Sequence, residues 1–178
     1  SGRLNDYQDL EETLGEFEWP SSGKSNYATH FLGYFHPKQT GYYTFAIASD
    51  DQGELYLSTD TNPANVQLVS SESVWSGARK FSGADVSRTR YLEKGNAYYI
   101  ESMHIQGAGG DNMAVAYVFS EKEDENSFVP DNAEPISGKE LSAWSSRSDL
   151  TGGVSVQPLE YGFEVGQIVE FSNQATFT

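Results

Sequence analysis

The sequence predicts an all-β protein, an antiparallel β-sandwich or barrel. Short segments of alternating apolar and polar residues recur along the chain, and a period of two is typical of half-buried strands. Turn-forming residues separate these segments, and no strand–helix alternation is visible, which favours antiparallel pairing. The 11 Tyr, 10 Phe and 17 Gly among 178 residues suit a strand-rich protein with many turns.

The clearest alternation lies between residues 41 and 58. We expect Gly41–Ser49 and Glu54–Ser58 to form a β-hairpin with the adjacent acids Asp50 and Asp51 at its tip, because turn formers fill the segment between them. The side chains expected to face the core are Tyr43, Phe45, Ile47, Leu55 and Leu57.

Shorter patterns predict the remaining elements. A short acidic helix is expected over residues 4–14, and an edge element over residues 136–144. The tail, residues 145–178, either completes the fold or leads toward a neighbouring domain, and we expect one domain over residues 1–178. Further strands are predicted at residues 16–20, 27–36, 66–69, 97–105, 113–119 and 167–171.

The charge and the cysteine content exclude several classes of function. The formal net charge is -15, from 26 acidic against 11 basic residues, so nucleic acid and anionic membranes are not expected as partners. The absence of cysteine excludes disulfides, thiolate zinc sites and a cysteine nucleophile. No apolar run approaches the roughly 20 residues of a membrane-spanning helix, and membrane insertion is not expected.

The pair Asp50–Asp51 has two interpretations: a solvated turn, or part of a site for a hard cation. Calcium binds about six to eight oxygens, so two carboxylates need a second oxygen-rich loop. The segment Gln106–Asp111 (QGAGGD) offers one, because its glycines let the backbone bend and present carbonyls while both end residues add side-chain oxygens. Taken alone, this segment would be a flexible connection between strands.

Other candidate chemistry is less well supported. The three histidines lack metal-ligand spacing, and no GxSxG motif is present. A glycosidase needs two carboxylates roughly 5–9.5 Å apart across the scissile bond, whereas adjacent acids on one turn point at a single position. Tyr42, Tyr56 and Trp75 are candidates to stack on a sugar ring, and the sequence does not choose among them.

Three segments together resemble a known family: YATHFLGYFHPKQTGYYTFAIASDDQGELYLS, TDTNPANVQLV and LEKGNAYYIESMHIQGAGGDNMAVAYV. They resemble the protective-antigen-type PA-fourteen domain over residues 27–118, with looser similarity on both sides. The resemblance is to its calcium-dependent lectin branch, found in bacterial RTX-type adhesins and yeast flocculins. It implies an antiparallel β-sandwich.

The resemblance also implies a site. In the lectin branch two consecutive aspartates joined by a cis peptide bind Ca²⁺, which coordinates sugar hydroxyls, and those aspartates match Asp50 and Asp51. The implied metal ligands are Asp50, Asp51, Gln106, Gly107, Gly109 and Asp111. The implied sugar-binding residues are Asp50, Asp51, Gln106 and Asp111. The chain departs from flocculins, which carry an Asn in this loop and flanking cysteines.

We therefore expect a non-enzymatic, calcium-dependent lectin module that binds fucose-, mannose- or glucose-type units through vicinal diols. The expected setting is a monomeric domain within a large multidomain adhesin, secreted to a bacterial cell surface. The alternative is a protein-interaction or accessory module, without lectin activity, of a secreted toxin or glycosidase.

Overall fold

The computed structural model describes residues 8–86, 89–144 and 163–170, which form two antiparallel sheets. The larger sheet contains, in spatial order, β1 (Gln8–Leu14), β12 (Phe163–Glu170), β3 (Tyr27–Phe35), β9 (Tyr98–Gln106), β5 (Gln52–Ser58), β6 (Val66–Glu72) and β7 (Asp85–Val86), with β11 (Leu141–Ala143) also paired to β3. The smaller sheet contains β2 (Glu18–Trp19), β10 (Asn112–Ser120), β4 (Gly41–Asp50) and β8 (Arg90–Leu92). The predicted β-sandwich is confirmed.

The described part of the chain contains no α-helix, and its 3-10 turns are Pro63–Asn65, Phe81–Gly83 and Gly138–Glu140. None of its helical segments has the length and apolar character needed to cross a membrane.

The main core lies between the two sheets, where the inward faces of their strands meet. All five side chains that alternation assigns to the core are buried there: Tyr43, Phe45, Ile47, Leu55 and Leu57. They pack with aromatic and aliphatic side chains of neighbouring strands, including Phe31, Phe35, Ile100 and Val115. Burial of this apolar surface, at roughly 25 cal/mol per Å², is the main force holding the sheets together.

A second, smaller core covers the outer face of the four-stranded sheet. Opposed alanines on β4 and β10 pair as Ala46 with Ala116 and Ala48 with Ala114. Their small side chains leave room for Phe81 and Val129, which pack on this face from two long connections. Both faces of β4 are therefore buried, which fixes the position of its end at Asp50.

The predicted hairpin is wrong, because β4 and β5 belong to different sheets. β4 pairs with β10 and β8, whereas β5 pairs with β9 and β6. The chain passes between the sheets at Asp51, the single residue that separates the two strands. Gly53 serves this crossing rather than a turn: a Cβ there would lie 2.7 Å from the Cβ of Ser49, so only glycine fits.

The two ends of the chain also differ from prediction. Residues 8–14 of the predicted acidic helix form strand β1, which pairs with β12 near the other end of the chain. Tertiary pairing thus overrides a local charge pattern. The predicted strand at residues 167–171 corresponds to β12, and the edge element at 136–144 contains β11. Residues 1–7, 145–162 and 171–178 lie outside the described residues.

Candidate functional site

Two connections between the sheets lie side by side at one end of the sandwich. The first is the Asp50–Asp51 crossing from β4 to β5, and the second is the loop from β9 to β10. The registers bring them together, because Asp50 lies opposite Asn112 at the start of β10, and Gln52 lies opposite Ile105 near the end of β9. The two oxygen-rich segments that the sequence singles out therefore form one surface.

Each aspartate of the pair lies close to one glycine of the second loop. The Oδ2 of Asp51 accepts a 2.7 Å hydrogen bond from the N–H of Gly107. A Cβ at Gly107 would lie 3.0 Å from that oxygen, and a Cβ at Gly110 would lie 3.0 Å from Asp50 Oδ2. Glycine at these two positions allows the loop backbone to approach both carboxylates closely. The peptide bond between Asp50 and Asp51 is cis, as the family resemblance implies.

The surroundings of Asp50 disfavour an isolated negative charge. Burial raises the pKa of its carboxyl, and the charges of Asp51 and Asp111 raise it further. The fully buried His104 donates a 2.7 Å hydrogen bond from Nε2 to the backbone carbonyl oxygen of Asp50. Burial lowers the pKa of His104, which favours the neutral ring, and the carbonyl acceptor requires the proton on Nε2. A cation beside the two carboxylates would relieve their mutual repulsion.

The buried side chain of Gln106 connects the two ends of the glycine-rich loop. Its Nε2 donates a 2.7 Å hydrogen bond to the carbonyl oxygen of Gly110, the residue beside the Asp50 carboxylate. Its Oε1 is buried and has no hydrogen-bond partner within the described ranges. A buried oxygen without a hydrogen-bond partner is destabilising, and a bound cation would provide the missing partner for Gln106 Oε1.

Asp111 is placed differently from the other predicted ligands. It is buried, and both of its oxygens accept hydrogen bonds from five donors: the hydroxyls of Ser21, Ser22 and Tyr27 and the N–H groups of Ser22 and Gly23. Burial alone would raise its pKa, but the hydrogen bonds from Ser22, Tyr27 and Ser21 hold the pKa well below its usual range. The carboxylate thus fastens the segment before β3 to the loop.

Residues 21–26, which connect two predicted strands, also belong to the site. Besides the contacts to Asp111, the N–H of Asn26 donates a 2.6 Å hydrogen bond to the carbonyl oxygen of Gly107. The residues that bond this segment lie more than eighty positions further along the chain. The only local signal is its run of small polar residues and glycine, which is common in loops.

The structure distinguishes among the three aromatic residues considered for sugar stacking. Trp75 forms an antiparallel bridge with Asp50 and is 63% exposed. The Ser76 N–H donates a hydrogen bond to the Ser49 carbonyl oxygen, and the Ser76 hydroxyl accepts one from the Ser49 N–H. The Asn112 side-chain amide donates to the Ser76 carbonyl oxygen, and these bonds hold the loop that carries Trp75. By contrast, Tyr42 packs on Tyr91 and pairs with Ser120 at the far end of β4, and Tyr56 bonds Glu54 on strand β5.

The donor set is suited to a hard cation such as Ca²⁺, which prefers carboxylate, amide and carbonyl oxygens. The crossings provide two carboxylates and the unpaired Gln106 Oε1, and the loop adds backbone carbonyls, of which those of Gly107 and Gly110 already accept hydrogen bonds from Asn26 and Gln106. In the described part of the chain, no group of three or more His, Cys, Asp and Glu residues could hold a metal ion. An ion here would therefore depend on the two aspartates and on neutral oxygens.

Known proteins similar to this chain include a transferase and an adhesin domain. One is the mouse (Mus musculus) N-acetyl-beta-glucosaminyl-glycoprotein 4-beta-N-acetylgalactosaminyltransferase 1, 32% identical over 133 residues, which are 70% of this chain. The chain spans 12% of the length of that transferase. The other is the A domain of epithelial adhesin 6 from Candida glabrata, solved in complex with Galβ1-3GlcNAc. It matches with a TM-score of 0.45 at 16% identity, covering 71% of this chain and 70% of that one.

A family model, described as the PA14 domain, matches residues 16–131. The match includes β2 through β10, and therefore both crossings, the loop at 21–26 and Trp75. Because it covers more than half of the sequence, this chain belongs to the PA14 domain family.

Proposed function

We propose that this domain is a calcium-dependent carbohydrate-binding module. One observation carries the proposal: the carboxylates of Asp50 and Asp51 each adjoin a glycine of the Gln106–Asp111 loop, in a family whose lectin branch the sequence resembles. Calcium would be held by the two aspartates, by Gln106 Oε1 and by loop carbonyls. When bound there, it would supply coordination positions for two neighbouring sugar hydroxyls.

Within this proposal the remaining residues have separate tasks. Trp75, exposed beside Asp50, packs its indole against the apolar face of the bound sugar. Asp111 acts by holding the loop at 21–26 in place, because its two oxygens already accept five hydrogen bonds. Recognition of a diol with few flanking contacts implies weak affinity for a single site and broad specificity among sugars with vicinal diols, which include fucose-, mannose- and glucose-type units.

We further propose that the module works outside the cell, as one domain of a large bacterial surface adhesin. Extracellular modules bind calcium at about 10⁻⁴–10⁻³ M, which suits a site with two carboxylates and neutral oxygens. Many copies on one surface would compensate for weak single sites, since multivalency adds about 10²–10⁴ in avidity. The chain is proposed to bind glycans without chemical conversion.

A second candidate is an accessory module of a larger enzyme. It is favoured by the 32% identity to one part of a mouse glycosyltransferase. In that case the domain would still bind a glycan, but it would serve to hold an acceptor near a catalytic domain. A glycan array that shows binding only to acceptor-like glycoprotein glycans would favour this candidate over a surface adhesin.

The decisive experiment is a glycan array probed with the domain in calcium and again in excess chelator. We expect binding in calcium, complete loss in chelator and recovery when calcium is restored. Asp51→Ala should lose both calcium binding, measured by titration calorimetry, and sugar binding, with an unchanged circular dichroism spectrum. The charge-changing control is Glu123→Gln, in the exposed loop after β10. Sugar binding that survives chelation or Asp51→Ala would refute the calcium-bridged mechanism.

A further inference from the structure

His104 connects the larger sheet to the Asp50–Asp51 crossing through one side-chain hydrogen bond. It lies near the end of β9 in the larger sheet, and its ring reaches Asp50, the last residue of β4 in the smaller sheet. Its Nε2 donates a 2.7 Å bond to the backbone carbonyl oxygen of Asp50. That carbonyl belongs to the peptide group that joins the two aspartates, so the bond restrains the backbone from which both carboxylates extend.

Packing alone does not explain a histidine at this position. His104 is fully buried, and other inward-facing residues of β9 and of its neighbour β3 include the apolar Ile100 and Phe31. Burial of a polar ring is unfavourable unless its nitrogens are paired, and an apolar side chain would avoid that cost. Nδ1 has no hydrogen-bond partner among the described residues, so the bond from Nε2 to Asp50 is the contact for which a polar ring is needed.

A second contact sets the direction of the ring. The rings of Tyr27 and His104 pack edge-on, with centroids 5.6 Å apart and an angle of 85° between their planes. Tyr27 is itself fixed, because its hydroxyl donates to the buried Asp111. A residue that is held in place behind a metal ligand lowers the conformational cost of binding the ion.

We propose that His104 is a positioning residue of the calcium site, which holds the peptide group between Asp50 and Asp51 in the orientation that brings both carboxylates to one ion. This inference rests on the proposed function, and it assigns a task to a residue that acts through Asp50 rather than on the ion or the sugar. The donor at Nε2 is the feature that matters, and not the bulk of the ring. Loss of one neutral hydrogen bond corresponds to about a three- to tenfold loss of calcium affinity.

The test compares two substitutions at the same position. His104→Gln keeps a side-chain N–H donor at a similar reach, whereas His104→Leu fills the core position and removes the donor. Calcium affinity is measured by titration calorimetry, and stability by urea unfolding in chelator. We expect His104→Gln to stay within about twofold of the unaltered domain and His104→Leu to lose about three- to tenfold in affinity.

The matched control is His36, which also makes a 2.7 Å hydrogen bond through Nε2, to the Ser142 hydroxyl. It directly follows β3, at the opposite end of that strand from Tyr27. His36→Leu should therefore bind calcium as the unaltered domain does, even if its stability falls.

A spectrum of the unaltered domain tests the same assignment without any substitution at His104. In a long-range proton–nitrogen correlation spectrum, His104 should show a protonated Nε2 and an unprotonated Nδ1. Added calcium should shift the Nε2 resonance, because the ion polarises the peptide group that accepts the bond, while the ring nitrogens of His36 keep their positions. This measurement decides the question if His104→Leu does not fold.

Each outcome supports or overturns the assignment. Weaker calcium binding by His104→Leu, with affinity retained in His104→Gln and in His36→Leu, supports it. Unchanged affinity in His104→Leu, equal losses in both His104 variants, or an Nε2 resonance that calcium does not move overturns it and leaves the proposed function standing. If the unaltered domain binds no calcium, the proposed function fails and this inference fails with it.

Discussion

The hydroxyl of Tyr27 donates a 2.7 Å hydrogen bond to Oδ2 of Asp111 and thereby connects the core to the candidate site. Tyr27 is 1% exposed, and its ring packs edge-on against His104, which bonds the carbonyl oxygen of Asp50. Burial and the bond to Asp111 raise the pKa of Tyr27 to about 12, so its hydroxyl remains a donor under ordinary conditions. Asp111 and Asp50 are therefore both supported by the same buried pair of rings.

The first prediction separates a structural role of Asp111 from a role in metal binding. Asp111→Asn should lower the free energy of unfolding by about 2–4 kcal/mol in the presence of chelator, because hydrogen bonds to a buried carboxylate contribute about 1.5–3 kcal/mol each. The measurement is urea unfolding followed by tryptophan fluorescence.

A matched control for this substitution is Asp85→Asn, at an exposed residue of the short strand β7. It should change the unfolding free energy by less than about 0.5 kcal/mol, as surface substitutions usually do. If Asp111→Asn leaves stability in chelator unchanged while it abolishes calcium binding, then Asp111 is a ligand and not an anchor.

The second prediction concerns the close approach of the loop to Asp51. Gly107→Ala would place a Cβ 3.0 Å from Asp51 Oδ2, so the carboxylate or the loop must move by a few tenths of an ångström. We expect calcium affinity to fall by about tenfold, equivalent to about 1.4 kcal/mol. Calorimetric titration of calcium into the variant measures this directly.

The control is Gly15→Ala, because a Cβ at Gly15 would have no atom within 4 Å. Gly15→Ala should bind calcium as the unaltered domain does. Unchanged calcium affinity in Gly107→Ala would show that the ion does not depend on the present separation of Asp51 and the loop.

Local patterns predicted which side chains are buried but not which strands pair. Tyr43 and Leu55 both alternate with polar neighbours, and alternation alone reveals that one face of each strand is covered. It carries no information on the partner, so two strands on either side of turn-forming residues were assigned to one hairpin. In the structure only Asp51 separates the two strands, which belong to opposite sheets, and Gly53 lies too close to Ser49 for any larger residue.

The proximity of the two oxygen-rich segments was anticipated in the same partial way. Asp50, Asp51 and the loop from Gln106 were singled out through the family resemblance, because aspartates and glycines are equally common in ordinary turns. The attachment of residues 21–26 to Asp111 was not, because a hydrogen bond between segments almost ninety residues apart leaves no local trace. The aromatic neighbour of the site could be chosen only when the bridge between Asp50 and Trp75 was known.

The third prediction concerns pH and a cluster in the larger sheet. Glu101 lies 3.4 Å from His30 and accepts a 2.7 Å hydrogen bond from the Tyr99 hydroxyl. The bond with His30, and then that with Tyr99, lowers the pKa of Glu101 in spite of its burial. A carboxyl with a lowered folded-state pKa stabilises the fold above its unfolded pKa of about 4.3, and this stability is lost as pH falls through the folded-state value.

Glu101→Gln should therefore reduce the dependence of unfolding free energy on pH between pH 5 and pH 3. Denaturant unfolding in chelator at several pH values measures the slope for both proteins. Glu123→Gln, which removes an exposed carboxylate of the same type, should leave the slope as it is. A slope that Glu101→Gln does not change would assign the acid sensitivity to other carboxyls.

The last prediction separates sugar contact from calcium binding at Trp75. The side chain is 63% exposed beside Asp50, so its removal takes away an apolar surface without opening the core. Trp75→Ala should weaken sugar binding by about two- to tenfold, since aromatic packing contributes about 0.5–1.5 kcal/mol, while calcium affinity stays within error. Phe128→Ala is the control, because Phe128 is 67% exposed on another loop, and it should bind both ligands normally. If Trp75→Ala binds sugar as tightly as the unaltered domain, the ring does not contact the ligand, and the diol at the aspartates must account for recognition alone.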